Sequence, residues 1–223
     1  MNLTFYHLKP VLAVMMLLTG FCLISGTASA VESVTADAIV SNLEKKYSGQ
    51  SFVARFSQIS RLAALDVTEK ASGTASFSHP GKMKWEYTEP ETHQIITNGK
   101  TLWIYRPDEK QVMAGDAERF FKSGAGGAFL SDISLIRTHF DIRLKEIATD
   151  YFELDLVNKN ESAEITSIVM RISRHTYEII RAVSYNPFDD STLFEFYDIR
   201  FTPLDPGLFE FSIPAGADLI QME

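Results

Sequence analysis

Five histidines, one cysteine and 29 acidic residues are the raw material for catalysis in this 223-residue chain, and their spacing assembles none of the common reaction centres. His79, His93, His139 and His175 form neither a His-x-x-x-His pair nor a His-carboxylate cluster, so no metal site is expected. Asp189 and Asp190 lie within Asn186-Pro187-Phe188-Asp189-Asp190-Ser191, a turn composition whose carboxylates more naturally meet water than act as an acid/base pair. The glycines of Ser123-Gly124-Ala125-Gly126-Gly127 lack both the Lys-Ser/Thr ending of a phosphate loop and the spacing of a dinucleotide fingerprint. There is no Gly-x-Ser-x-Gly elbow, and Cys22 falls in a leader. No enzyme and no cofactor is expected. The chemistry open to the remaining side chains is non-covalent. Met83, Trp85 and Tyr87 alternate with Lys82, Lys84 and Glu86, placing an apolar, aromatic face opposite a charged one. Such a face either packs a core or lines a site for an apolar ligand.

The elements that position these residues are legible from periodicity. Thr35 can cap a helix in which Ala36, Val40, Leu43 and Tyr47 recur at helical spacing, with Gly49 placed to end it. From Ser51 the period becomes two, with Phe52, Ala54 and Phe56 alternating against Val53, Arg55 and Ser57. Asn98-Gly99 predicts a hairpin between His93–Thr97 and Thr101–Tyr105. Further strands are expected at Asp141–Ile147, Tyr151–Val157, Ile165–Ser173, Glu178–Tyr185 and Leu193–Phe201, which suggests a long antiparallel meander. Two helical segments, Glu118–Phe121 and Phe129–Thr138, interrupt it. A sheet of this length must curl, and these helices are its natural plugs. Phe120, Phe121, Phe129, Leu130, Ile133 and Ile136 either complete the core or form a lid over an apolar cavity, hinged at the glycines.

The first thirty residues carry Lys9, the apolar run Val11 to Ile24 and the small-x-small site Ala28-Ser29-Ala30, the pattern of a cleavable secretory signal peptide. Phe21 before Cys22 does not suit lipidation, so Cys22 is assigned to the apolar signal core. The expected domain organisation is a signal peptide over 1–30 and one domain over 31–223, exported to a bacterial periplasm. Removing the leader takes the net charge from -8 to -9, which argues against a nucleic-acid partner.

Three blocks carry a resemblance: Phe52-x-Ala54-x-Phe56-Ser57-Gln58; Pro80-Gly81-Lys82-Met83-Lys84-Trp85-Glu86-Tyr87; and Asn98-Gly99-Lys100-Thr101-Leu102-Trp103-Ile104-Tyr105-x-Pro107, followed by Gln111-Val112. With the close Phe209-Glu210-Phe211-Ser212-Ile213-Pro214-x-Gly216-x-Asp218-Leu219-Ile220, the chain resembles the periplasmic outer-membrane lipoprotein carriers of the LolA type. The resemblance implies a mainly β (α+β) fold, an unclosed antiparallel barrel of about eleven strands with helices lidding its concave apolar face. It also implies a monomeric carrier that takes triacylated lipoproteins from an inner-membrane lipoprotein-releasing ABC transporter to an outer-membrane lipoprotein receptor. Phe56, Met83, Trp85, Tyr87, Phe129 and Leu130 are then assigned to the acyl chains. His79 takes the place where many members of the family carry an arginine held to latch the lid; it is either that latch or a surface histidine at a strand end. Carriage of another lipid or glycolipid, or a lipoprotein-sensing regulatory role on a related fold, stays open.

Overall fold

The computed structural model describes Met1 and residues 34–119 and 130–222. Helix α1 spans Ala36–Tyr47, and Thr35 caps it, its hydroxyl accepting a hydrogen bond from the Ala38 amide at 3.1 Å. Its buried stripe is Ile39, Val40, Leu43 and Tyr47, while Ala36 is only partly covered. Gly49, at φ +66°, turns the chain into the first strand, a conformation that costs glycine nothing.

Twelve described strands form one sheet: β1 (Ser51–Leu62), β2 (Val67–Ser78), β3 (Lys82–Glu89), β4 (His93–Thr97), β5 (Thr101–Arg106), β6 (Gln111–Asp116), β7 (Phe140–Ile147), β8 (Tyr151–Asn158), β9 (Ser167–Ser173), β10 (Ile179–Tyr185), β11 (Ser191–Phe201) and β12 (Asp218–Gln221). Their spatial order is β12-β6-β5-β4-β3-β2-β1-β11-β10-β9-β8-β7, so two meanders meet where β1 pairs with β11 and the sheet ends on β12 and β7 without closing. The expected antiparallel ladder holds for every pair but one. β12 runs parallel to β6, from Asp218 opposite Gln111 to Gln221 opposite Ala114. The hairpin at Asn98-Gly99 forms between β4 and β5, with the Asn98 carboxamide oxygen accepting from the Lys100 and Thr101 amides at 3.0 Å each.

The sheet curls around one apolar cluster that gathers Leu102 from β5, Leu154 from β8, Phe140 from β7 and the inner stripe of α1. The second expected interruption is shorter than predicted, because α2 starts only at Ser134 and runs to His139. Asp132 sets that start, accepting from the Ser134 amide at 3.0 Å and from its hydroxyl at 2.6 Å. Of the first interruption, residues 117–119 are helical, and Asp116 receives the amides of Glu118 and Arg119. Phe120, Phe121, Phe129 and the glycine run lie outside the described residues, as does the expected signal peptide after Met1.

Candidate ligand-binding site

The alternation of β3 puts Met83, Trp85 and Tyr87 on the inner face, where they are 0%, 0% and 6% exposed. Phe56 reaches them from β1 and Phe194 from β11. The Phe56 ring meets Trp85 edge-on at 4.8 Å and Tyr87 at 5.0 Å, and Phe194 lies 5.0 Å from Trp85. The Trp85 indole N–H points at the Met83 sulfur, 3.4 Å away. Edge-to-face geometry of this kind adds to what area burial alone contributes. Leu130, Ile133 and Ile136, all but fully buried, belong to the same core cluster. Five of the six residues assigned to acyl contact are therefore brought into one core, and the sixth, Phe129, lies outside the described residues.

Among the described residues that core is filled. The void between Tyr47, Phe52, Phe77, Leu130, Ile179 and Phe196 has a volume of about 10 Å³, close to what a single water needs. An acyl chain enters only if side chains or helices that line this core move. Among the described residues, open space lies at both ends of the sheet. Near Tyr87 a pocket of about 630 Å³ is bordered by Gln58, Ser60, Ala71, His93, Ile95 and Thr192. At the lid end a pocket of about 450 Å³ lies between Glu44, Gly49, His79, Asp132 and Ser134.

His79 stands at the junction of barrel and lid. Its ring stacks against Phe52 at 6.0 Å and meets Tyr47 edge-on at 5.7 Å, while its amide donates to the Gln50 carbonyl at 3.0 Å. Burial pushes the imidazole pKa down to about 4, against an opposing pull from Asp132, so the ring is neutral at neutral pH. Its Nε2 is buried and makes no hydrogen bond among the described residues. The polar contacts between the helices come from Arg137 of α2, which sequence reasoning missed. Its Nε donates to Glu44 Oε1 at 2.8 Å, Nη1 to the Asp37 carboxylate, and Nη2 to Ser41 Oγ at 2.9 Å and the Asp37 carbonyl at 3.2 Å. Lys159 then covers the end of α2, donating to the Arg137 carbonyl at 2.8 Å. Beside His79, the Gly81 amide donates to the Ser131 carbonyl at 2.8 Å and joins β3 to the lid segment. The one sign of the Arg137 clasp in the sequence is the Asp37, Ser41, Glu44 stripe, a polar row on a helix whose other face is buried.

The sequence profile of the family described as outer membrane lipoprotein carrier protein LolA matches residues 48–212. The chain belongs to that family. Among its curated relatives, an outer-membrane lipoprotein carrier protein of Nitrosomonas europaea is 30% identical over 172 residues, covering 77% of this chain and 82% of the relative. One from Azotobacter vinelandii is 27% identical over 173 residues, with the same coverage of both chains. A conserved protein of Thermus thermophilus has a similar fold, with TM-score 0.56 and 13% identity over 84% of this chain and 99% of that one. The family match takes in β1 to β11 and every residue assigned to acyl contact, together with His79 and the Arg137 side of the clasp.

Proposed function

We propose that this chain is a lipoprotein carrier whose aromatic core is the acyl-chain site held shut. The observation that carries the proposal is the inner face of β3. Met83, Trp85 and Tyr87 belong to a segment that resembles the carriers, and they share one buried core with Ile136 of a short helix fastened to α1 by polar bonds. Burial stabilises by about 0.8 kcal/mol per CH₂, so one long acyl chain passing from a membrane into water costs on the order of 10 kcal/mol, and an apolar interior removes most of that barrier. The same core must give the chain up again. A lid whose own apolar residues, Leu130, Ile133 and Ile136, re-cover the aromatic face competes with the cargo and keeps its binding moderate.

In this proposal residues 1–30 direct export and 31–223 form the carrier domain in the periplasm. The chain acts without catalysis, receiving triacylated lipoproteins from an inner-membrane ABC transporter and passing them to an outer-membrane receptor. His79 marks the rim where barrel and lid part. Release of a radiolabelled lipoprotein from spheroplasts into the soluble fraction tests it: release that depends on added protein is the expected result, and no release above buffer alone overturns it.

A further inference from the structure

The inner face of the sheet changes character along its strands. On β1 the inward series runs Phe52, Ala54, Phe56, Gln58, Ser60. Its neighbour β11 shows the same change, with Phe196 and Phe194 opposite Phe56 and Gln58, and Thr192 opposite Ser60. β2 repeats it from Phe77 and Ala75 to Ala71 and Glu69, which pair with Gln58 and Ser60. By the Ser60 row all three adjacent strands have become polar, with Thr192, Ser60 and Glu69 side by side. The polar end opens into the pocket of about 630 Å³. It lies away from the lid, at the end of β1 opposite the one that meets His79, whose amide bonds to Gln50 just before Ser51.

Tyr87 divides the two zones. Its ring is the last of the aromatic cluster, stacked on His93 at 4.0 Å, and its hydroxyl donates to Gln58 Oε1 at 2.7 Å. Rotating this one side chain would join the pocket to Phe56 and Trp85 directly. We propose that this pocket is the head-group subsite of the carrier. It takes the ester, amide and peptide groups at the head of an acylated polypeptide, while the chains run inward past Tyr87, with the Tyr87–Gln58 hydrogen bond as the gate. Ser60 and Thr192 supply hydroxyls for the head, with Gln58 Nε2 donating to Ser60 Oγ at 2.9 Å and so orienting it; Ala71 and Ile95 receive the first methylenes. The assignment rests on the acyl-carrier reading above and adds the orientation of the cargo.

Two probes separate the two ideas: palmitic acid, which has the chain without the peptide head, and a synthetic tripalmitoylated Cys-Ser peptide, which has both. Ser60→Trp fills the pocket and is expected to weaken the lipopeptide by about tenfold or more while leaving palmitate within about twofold. Thr192→Trp enters the same pocket from β11 and should give the same split, so a folding defect in one variant does not decide the result. Gln58→Leu removes the acceptor of the gate and should speed palmitate association several-fold. Equal effects of both tryptophan variants on both probes, or no effect on either probe, overturn the subsite and leave acyl binding in the core intact. Failure of the unsubstituted protein to bind palmitate overturns both.

Discussion

Arg137 and Glu44 join the two helices that cover the concave face, guanidinium Nε to carboxylate at 2.8 Å, with Asp37 and Ser41 of the same helix completing the fork. Their side chains are 35% and 31% exposed, so water screens the pair and its worth comes mainly from the number and geometry of the bonds.

Arg137→Gln is therefore expected to cost only about 1–2 kcal/mol, lowering the melting temperature by about 4 °C. The effect should be local. Amide exchange of Ile136, bonded to the Ile133 carbonyl at 3.1 Å, should accelerate while Phe194 in β11 keeps its protection. Uniform acceleration of both would show that the clasp does not hold the lid separately from the barrel.

His79 predicts a pH dependence. Its folded pKa of about 4 lies below the ordinary 6.5, so the unfolded chain binds the proton more readily. The stability it contributes is complete above about pH 6.5 and falls away as the pH drops toward 4, by about 3 kcal/mol at most. His93, held low chiefly by burial, acts in the same direction. Urea denaturation at pH 7 and at pH 4.5 should show a smaller loss for His79→Gln than for the unsubstituted protein; an equal loss would remove His79 from the account of the lid rim.

Met83 is fully buried with the Trp85 N–H on its sulfur. A carboxylate there loses its water without gaining a partner, so Met83→Glu should cost about 3–5 kcal/mol and lower the melting temperature by about 10 °C. Met83→Leu keeps volume and apolarity and should stay within about 1.5 kcal/mol. Below its melting temperature the Glu variant should fail to release lipoprotein from spheroplasts. A folded variant that releases it normally would take Met83 out of the acyl site.

Gly73 sits where the β2–β3 register shifts, and a Cβ placed there would stand 2.0 Å from the Glu86 carbonyl oxygen. Backbone cannot yield as a flexible side chain would. Gly73→Ala is expected to lose about 2–4 kcal/mol by urea denaturation, and a loss under about 0.5 kcal/mol would mean that the bulge relaxes.

Much of this arrangement was legible in the sequence because it is local. Alternation fixed the inner face of β3, Asn98-Gly99 marked the β4–β5 hairpin, and Thr35 with Gly49 bounded α1. What was not legible depends on distant partners. β12 is four residues long, and its pairing with β6 satisfies no nearby turn, so no periodicity announces it. β2 carries few large apolar side chains, and its strand character comes from lying between β1 and β3. Arg137 meets Asp37 and Glu44 across six intervening strands, β1 to β6, so the contact exists only once the sheet has curled. The start of α2 moved to Ser134 because Asp132 competes for the backbone there, an effect of one side chain on the first turn.

The central claim is that a filled aromatic core is a ligand site, and contact with the ligand itself tests it most directly. Trp103→Phe leaves Trp85 as the single tryptophan beyond any doubt of assignment, since the chain has two. This protein would be titrated with a tripalmitoylated Cys-Ser peptide brominated at mid-chain, and with the same peptide unbrominated. Bromine quenches only at close range, so the expected result is saturable quenching of Trp85 by the brominated chains that the unbrominated peptide does not produce. Saturable binding by calorimetry with identical Trp85 emission for both peptides would contradict the claim and place the acyl chains elsewhere.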